Sequence, residues 1–417
     1  MNGIVVQKYG GSSVSDPERI RNVAARIVDA HRSGRPVVAV VSAMGDTTDH
    51  LIELAHQISP RPPRREMDML LATGEQVSIA LLAMAIQELG EEAISLTGAQ
   101  VGILTDGIHM KARIQEVRTD RILRELEQGR IVIVAGFQGI TPGDDITTLG
   151  RGGSDTTAVA LAAAVQADRC EIYTDVDGVY TADPRLVPDA SRLEWISYGE
   201  MLEMASLGAV VLQPRAVEYA AQYGVVLRVR SSFGDGPGTE VRGVSTMENA
   251  RVVVGVTHDR NVAKLVVVDV PDRPGVAHRL FAALAAEEIN VDMIVQTTKA
   301  RQVTDLLFTV TRDDLARSRE IVDQVARELG ATTVQDDASV AKVSIVGAGM
   351  MSHPGVAARM FGALAEAGIN IQVISTSEIK VSCLIDATQA EEAVRRVHKA
   401  FHLEELAPEG ARDPLLP

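Results

Sequence analysis

Residues 3–13 read GIVVQKYGGSS. An apolar run ends in a double glycine and two serines. The run has the texture of a strand buried on both faces of a parallel sheet. The glycines let backbone N–H groups approach an anion, and Lys8 adds a positive charge at the same point. Similar runs follow: PVVAVVSA (36–43), EAISLTG (92–98), RIVIVAGF (130–137), CEIYTDV (170–176) and VVLRVRS (225–231). Helical patterns lie between them at 17–31, 47–58, 75–89, 119–128 and 154–167. Asp16 caps the first, with Pro17 in its first turn. This alternation predicts an α/β domain built on an open, mainly parallel sheet with helices on both faces. Ligands then sit beyond the carboxyl ends of the strands.

The chain changes character after FGDGPGTEVRG (233–243), whose glycines and prolines mark a boundary. An internal repeat follows. DRPGVAHRLFAALAAEEINVDM starts at Asp272 and SHPGVAARMFGALAEAGINIQV at Ser352, a constant offset of 80. Each copy reads as a βαββαβ, ferredoxin-like unit. Repeat one has strands at 262–270, 290–299, 304–311 and 331–336, a full set of four. Repeat two has only 340–348, 369–376 and 378–386, while RVVVGVTH (251–258) lacks a partner. The economical solution inserts repeat one into repeat two. The expected domains are therefore 1–232, a linker at 233–248, repeat one at 261–338, repeat two at 249–260 with 339–406, and a tail at 407–417.

Composition excludes several classes. The chain has 417 residues, a length suited to two or three domains, and a net charge of −15. No basic cluster stands out, so a nucleic-acid partner is not expected. No apolar run approaches the ~20 residues of a membrane span, so no membrane partner is expected. MNGIVVQKYGG has neither a basic n-region nor a cleavage pattern. Cys170 and Cys383 are the only cysteines, too few for a disulfide framework. The expected location is cytoplasmic. Of 41 basic residues only seven are lysine, and only Lys8 and Lys111 precede residue 264. A lysine retained in so arginine-rich a chain marks a place where a compact ammonium is needed.

Several motifs could carry chemistry. KYGGSS (8–13) is either a phosphate-approaching turn or an ordinary strand-to-helix turn; no GxxxxGK[ST] loop occurs. GRGGSDTTAVALAAAV (150–165) places a glycine-rich turn before an apolar helix, with Ser154 as its expected N-cap. A helix N-terminus and Arg151 together suit a carboxylate, and exceed what a cap needs. Ser42, Thr47 and Thr48 sit in VVSAMGDTTD (40–49), after a strand. Glu75 in TGEQVS (73–78) falls near the expected helix start, where acids are commonly dipole partners. In YTDVDGVYTADPR (173–185), Asp175, Asp177 and Asp183 do not meet the EF-hand pattern. A nucleotide-contacting turn is preferred to a metal cage. With no HExxH, CxxC or GxSxG, no metal site is expected, and zinc and hydrolase chemistry are unsupported.

Taken in order, KYGGSS, VVSAMGDTTD, TGEQVS, LGRGGSDTTA, YTDVDGVYTADPR and RVRSS, followed by VGAGMMSHPGV and ISTSE, resemble the aspartokinases over nearly the whole chain. These amino-acid kinases carry tandem ACT domains. The resemblance implies phosphorylation of the β-carboxylate of L-aspartate by ATP, with Mg²⁺ on the phosphates. Lys8 would stabilise the transferring phosphoryl group and Asp155 would orient Lys8. Gly10, Gly11, Ser12, Thr174, Asp175, Tyr180, Asp183 and Arg185 would line the nucleotide. Ser42, Thr47, Glu75, Arg151, Gly152, Gly153 and Ser154 would hold the substrate, Glu75 through its ammonium and Arg151 through a carboxylate.

The repeats would carry feedback inhibition by threonine, lysine or both. In repeat one, Asp272 and Asp292 would take the effector's ammonium, Gly275 and Val276 its carboxylate, and Asn290 and Gln296 further hydrogen bonds. Asn370, Ile371, Ser377 and Glu378 of repeat two would form a facing wall. A homo-oligomer is expected, or an α2β2 assembly with a regulatory fragment starting near Met247. The alternatives are an amino-acid sensor with an inactive kinase domain and a kinase for another small carboxylate. A dead sensor should have lost Lys8, Arg151 or Asp155, and all three are present.

Overall fold

Strand Val5–Tyr9 buries nearly every side chain because it lies at the middle of its sheet, with helices on both faces. The computed structural model describes residues 3–208, 211–243, 252–299 and 302–405. Contacts divide them into two units. The first holds residues 3–179, 192–206 and 211–243; the second holds 180–191, 207–208, 252–299 and 302–405.

The first unit is built on an eight-stranded sheet. Its order is Trp195–Ser197, Thr239–Arg242, Leu227–Ser231, Arg169–Thr174, Val5–Tyr9, Val37–Val41, Ile131–Ala135 and Ala93–Leu96. All neighbours are parallel except Leu227–Ser231 with Thr239–Arg242. Tyr9, Ala39, Val41, Ile131 and Ile133 face one side. They pack on Ile20, Val23 and Ile27 of helix Pro17–Arg32 and on Ile79, Leu82 and Ile86 of helix Arg64–Glu88. Asp16 caps the first of these helices, accepting the Arg19 N–H at 3.0 Å. A second, four-stranded sheet joins Ile114–Val117, Ile103–Thr105, Gln138–Ile140 and Ile146–Thr148, and leads the chain into Gly150.

Two expectations are corrected here. The helix read as 75–89 begins eleven residues earlier, at Arg64. Thr73–Gly74 is not a boundary but a point of close approach: a Cβ on Gly74 would lie 2.8 Å from the Ala43 Cβ. By length and composition this helix is also apolar enough to cross a membrane, although half of its apolar window is buried inside the protein.

The second unit contains two antiparallel sheets of four strands. One orders Asp292–Lys299, Val303–Val310, Ala263–Pro271 and Thr333–Asp337. The other orders Gly255–Asp259, Val340–Val346, Lys380–Asp386 and Val373–Thr376. Strand Gly255–Asp259 thus pairs across the whole of the first repeat. Val262 and Met293 share a core with Val340, Val373 and Leu384, so the repeats are packed together.

Residues 180–191 also belong to this unit. Ala182 and Val187 are buried among Val252, Val394 and Phe401. The Val256 N–H donates to the Thr181 carbonyl at 2.7 Å, and Thr181 Oγ1 lies 2.9 Å from His398 Nε2. Burial holds the His398 imidazole below its ordinary range. Met247, the end of the linker and the tail lie outside the described residues.

Candidate active site

Side chains alternate along a strand, so Lys8 points away from Tyr9 and the helices packed on that face. Its Nζ lies 2.6 Å from Asp155 Oδ1, in the first turn of helix Gly153–Ala164. Both side chains are about nine-tenths buried, at 12% and 9% exposure. Gly10 leaves room for the ammonium, since a Cβ there would sit 3.4 Å from Lys8 Nζ. Gly11 lies against a second loop: its added Cβ would meet the Ala43 carbonyl at 2.9 Å, and its own carbonyl accepts the Gly45 N–H at 3.1 Å. KYGGSS and SAMGD are thereby locked together. Ser13 and Ser232 share a hydroxyl–hydroxyl bond of 2.5 Å, which ties in RVRSS.

The glycine-rich turn differs in detail from its expected form. Gly152, with φ of 70°, is the N-cap, and Ser154 makes no capping bond. A left-handed cap favours glycine, and any Cβ at Gly152 would collide with Gln213. Ser154 is instead buried against Gly136. The first-turn amides and the dipole's positive end lie beside Asp155 and Lys8. Arg151 is exposed.

Glu75 is the most unusual acid in this unit. It sits in mid-helix, 3% exposed, so the helix dipole does not explain it. Oε1 accepts the Ala43 N–H at 3.1 Å, while Oε2 is buried without a partner. Burial pushes its carboxyl up to about 7. Such a group wants a cation or a proton. Thr47 opens the preceding helix, Thr47–Ile58, and packs near Gly74, placing it beside Glu75 and Ala43. Ser42 follows the strand end, its N–H donating to the Tyr9 carbonyl at 3.1 Å.

A further carboxylate was invisible in the sequence. Asp68, two turns before Glu75 on the same helix, is fully buried. It accepts from Thr148 Oγ1 at 2.5 Å and the Met110 N–H at 3.1 Å, and lies 2.7 Å from His109 Nδ1. It anchors the loop 106–113 to the helix and the small sheet.

Thr174 and Asp175 lie in the first unit, at the carboxyl end of strand Arg169–Thr174, with their side chains 3.1 Å apart. Tyr180, Asp183 and Arg185 fall in the second unit, where Asp183 and Arg185 pair at 2.7 Å.

In the second unit, Asp272, Gly275, Val276 and Gln296 line one cavity of about 380 Å³, together with Thr304 and Leu306. Gly275 caps helix Val276–Ala286 with φ of 93°. Asn290, Asn370, Ile371, Ser377 and Glu378 do not line it. Asp292 is absent too, because it pairs with Lys342 of repeat two at 2.7 Å. Burial pushes the Asp292 carboxyl up, but the Lys342 charge and hydrogen bond outweigh it and hold it below the usual range. Lys342, 7% exposed, needs this counter-charge.

Comparison with known proteins agrees with this architecture. Residues 3–231 match the amino acid kinase family, and residues 264–330 and 343–401 each match the ACT domain. Fold and site therefore define an amino-acid kinase with tandem regulatory domains. The aspartokinase of Mycolicibacterium smegmatis is 55% identical over 406 residues, 96% of each chain. That of Pseudomonas aeruginosa is 53% identical, over 98% of this chain and 99% of its own. The crystal structure of E. coli aspartokinase III with aspartate and ADP superposes with a TM-score of 0.79 at 26% identity, covering 95% of this chain and 99% of that one. The chain belongs to the aspartokinases, and its activity is that of an aspartate kinase under allosteric control.

Proposed function

We propose that this chain transfers the γ-phosphoryl group of ATP to the β-carboxylate of L-aspartate. The product is 4-phospho-L-aspartate, on the route to lysine, threonine, methionine and isoleucine. The observation that carries this reading is the buried Lys8–Asp155 pair at a helix N-terminus. Both reactants are anions, so catalysis needs neutralisation and alignment more than proton transfer. A carboxylate oxygen bonds to the γ-phosphorus while its bond to the bridging oxygen breaks, and ADP departs.

Lys8 meets the charge on the transferring group, and Asp155 fixes its direction. Arg151 and the amides of Gly152 to Ser154 hold a substrate carboxylate. The open oxygen of Glu75 receives the ammonium, and Ser42 and Thr47 border it. Gly10, Gly11, Ser12, Thr174 and Asp175 serve the nucleotide; Tyr180, Asp183 and Arg185 are assigned to it by the family resemblance alone. Mg²⁺ would arrive on the phosphates, because no group of three His, Cys, Asp or Glu among the described residues could cage it. E. coli aspartokinase III, solved with aspartate and ADP, supports this substrate pair.

The test is ATP-dependent trapping of the acyl phosphate by hydroxylamine with L-aspartate. Lys8→Arg should lose at least a hundredfold in turnover, since removal of one preorganised donor costs about 2.7–4 kcal/mol and a planar fork does not replace a point charge. Near wild-type turnover in a folded Lys8→Arg variant overturns the assignment.

Feedback is assigned to the repeat-one cavity. Asp272 takes the ammonium of threonine or lysine, and the amides of Gly275 and Val276 take the carboxylate. Asp292 acts by tying repeat one to Lys342. Asp272→Ala should relieve inhibition by threonine and lysine, singly or mixed, while the uninhibited rate stays. Unchanged inhibition moves the effector elsewhere. The domain division at 1–232, 261–338 and 249–260 with 339–406, and assembly as a homo-oligomer or with a fragment from Met247, complete the proposal.

A further inference from the structure

The sheet face opposite Lys8 carries a second polar centre. Strand register sets Gln7 beside Glu171 and Arg228, and Tyr9 beside Tyr173 and Arg230. Helix Pro17–Arg32 shares a core with Tyr9 and Tyr173 of this face, and beside that contact the helix and strands border a hollow. A cavity of about 460 Å³ results, bounded by Arg26 and Asp29 of the helix, Arg35 beyond it, and Arg169, Glu171 and Arg230 of the strands. That size suits a small metabolite.

The cavity carries four arginines and three acids, of which Glu171 is bound to neighbours, Asp235 pairs with Arg26, and Asp29 lies exposed at the edge. Glu171 is buried and already engaged: Oε2 accepts from Gln7 Nε2 at 2.9 Å and the Tyr173 hydroxyl at 3.1 Å, and Oε1 lies 3.1 Å from Arg169 Nε. Tyr9 stacks on Tyr173 with ring centroids 4.7 Å apart, which closes one face of that ring. The guanidinium carbons of Arg26 and Arg230 lie 5.1 and 5.6 Å from the same ring centroid, so they converge on the side that remains. Arg230 donates to the Tyr173 hydroxyl at 3.2 Å and lies 3.8 Å from Glu171 Oε1, and Arg26 donates to the Gly234 carbonyl at 3.2 Å and to Asp235 Oδ1 at 3.3 Å. Each guanidinium keeps further N–H groups unspent. Arg35 is exposed and enters no ion pair with a described residue. Four arginines against Asp29, Glu171 and Asp235 leave the lining one positive charge in surplus, in a chain of net charge −15.

We propose that this cavity binds a phosphate-bearing small anion through Arg26, Arg35, Arg169 and Arg230, separately from the Lys8–Asp155 site on the other face of the sheet. A tetrahedral anion with several acceptor oxygens matches converging guanidinium forks better than one carboxylate does. The volume leaves space for more than the phosphate itself.

The test uses the full chain and pyrophosphate as probe. Thermal unfolding is followed against pyrophosphate, with sodium chloride of matched ionic strength as control. Pyrophosphate also suits a kinase site, so the titration is repeated in Lys8→Ala. Saturable stabilisation is expected in wild type and in Lys8→Ala alike, with a midpoint at least tenfold higher in Arg26→Gln and Arg35→Gln. Arg35 supports no other described side chain, so its variant stays folded, and neither substitution should alter basal phosphorylation of aspartate. Loss of the effect in Lys8→Ala, unchanged midpoints in both arginine variants, or a response no larger than that to chloride overturns the proposal. None of these results bears on the kinase reading, which the hydroxylamine assay tests.

Discussion

Two carboxylates on one helix meet opposite fates. Asp68 and Glu75 lie two turns apart on the inner face of Arg64–Glu88, and both are buried. Asp68 is saturated by Thr148, Met110 and His109. Glu75 has a single amide and one oxygen left without a partner. Equal burial therefore gives a structural anchor at one end and an unfinished site at the other. A buried acid that the protein satisfies stabilises the fold, whereas one left half-satisfied costs stability and awaits a ligand.

The sharpest way to break this contrast is Glu75→Gln. Truncating one partner of a buried charge pair costs about 2–5 kcal/mol, so kcat/KM for aspartate should fall on the order of a hundredfold or more. Stability without substrate should move the other way. The folded carboxyl titrates at about 7 against an ordinary 4.5. Its contribution to stability is present below pH 4.5 and is lost as pH rises through 7. The loss reaches up to about 3 kcal/mol. Denaturant unfolding of the free enzyme from pH 4.5 to 8 should slope less in Glu75→Gln than in wild type. Saturating aspartate should flatten the wild-type curve. Parallel slopes would remove the unfinished character of Glu75.

Asp68→Ala probes the other end. It strands the Thr148 hydroxyl, the Met110 amide and His109. Denaturant unfolding should report a loss of roughly 3 kcal/mol. Activity per folded molecule should fall far less than in Glu75→Gln. The reverse ranking would make Asp68 part of the chemistry.

The smallest effect is expected between them. Alanine ordinarily stabilises a helix over glycine by about 1 kcal/mol. At Gly74 the new methyl meets Ala43, so Gly74→Ala should destabilise instead, by about 1–3 kcal/mol. Because Ala43 supplies the amide that holds Glu75, KM for aspartate should rise more than kcat falls. A stabilised variant with unchanged KM would show that the approach is slack.

These three positions also show where sequence stops being informative. The parallel sheet was legible because buried strands leave unbroken apolar runs, and the repeat because two copies preserve one spacing. Lys8 stood out by composition, and the family resemblance paired it with Asp155, 147 positions away in the chain. Asp68 left no sign, since its partners come from a loop 41 and 42 positions away and a strand 80 positions away, and have no pattern of their own. The helix start was misplaced because a glycine chosen for close contact looks the same, in sequence, as one chosen to end a helix. Ser154 looked like a cap, but the left-handed Gly152 had already taken that position. Asp292 was grouped with the effector residues of repeat one, and nothing local announced that the buried Lys342 would pair with it.

The excursion of residues 180–191 has a consequence for cutting the chain. A break at the glycine-rich boundary would leave Ala182 and Val187 on one fragment and their packing partners Val252, Val394 and Phe401 on the other. A polypeptide beginning at Met247 would carry an empty apolar slot and a Val256 amide deprived of the Thr181 carbonyl. Such a piece is half of a lock. Its missing tooth exists in every full-length copy, so supplying the full chain in trans, or a peptide of residues 180–191, should act as the key that completes it.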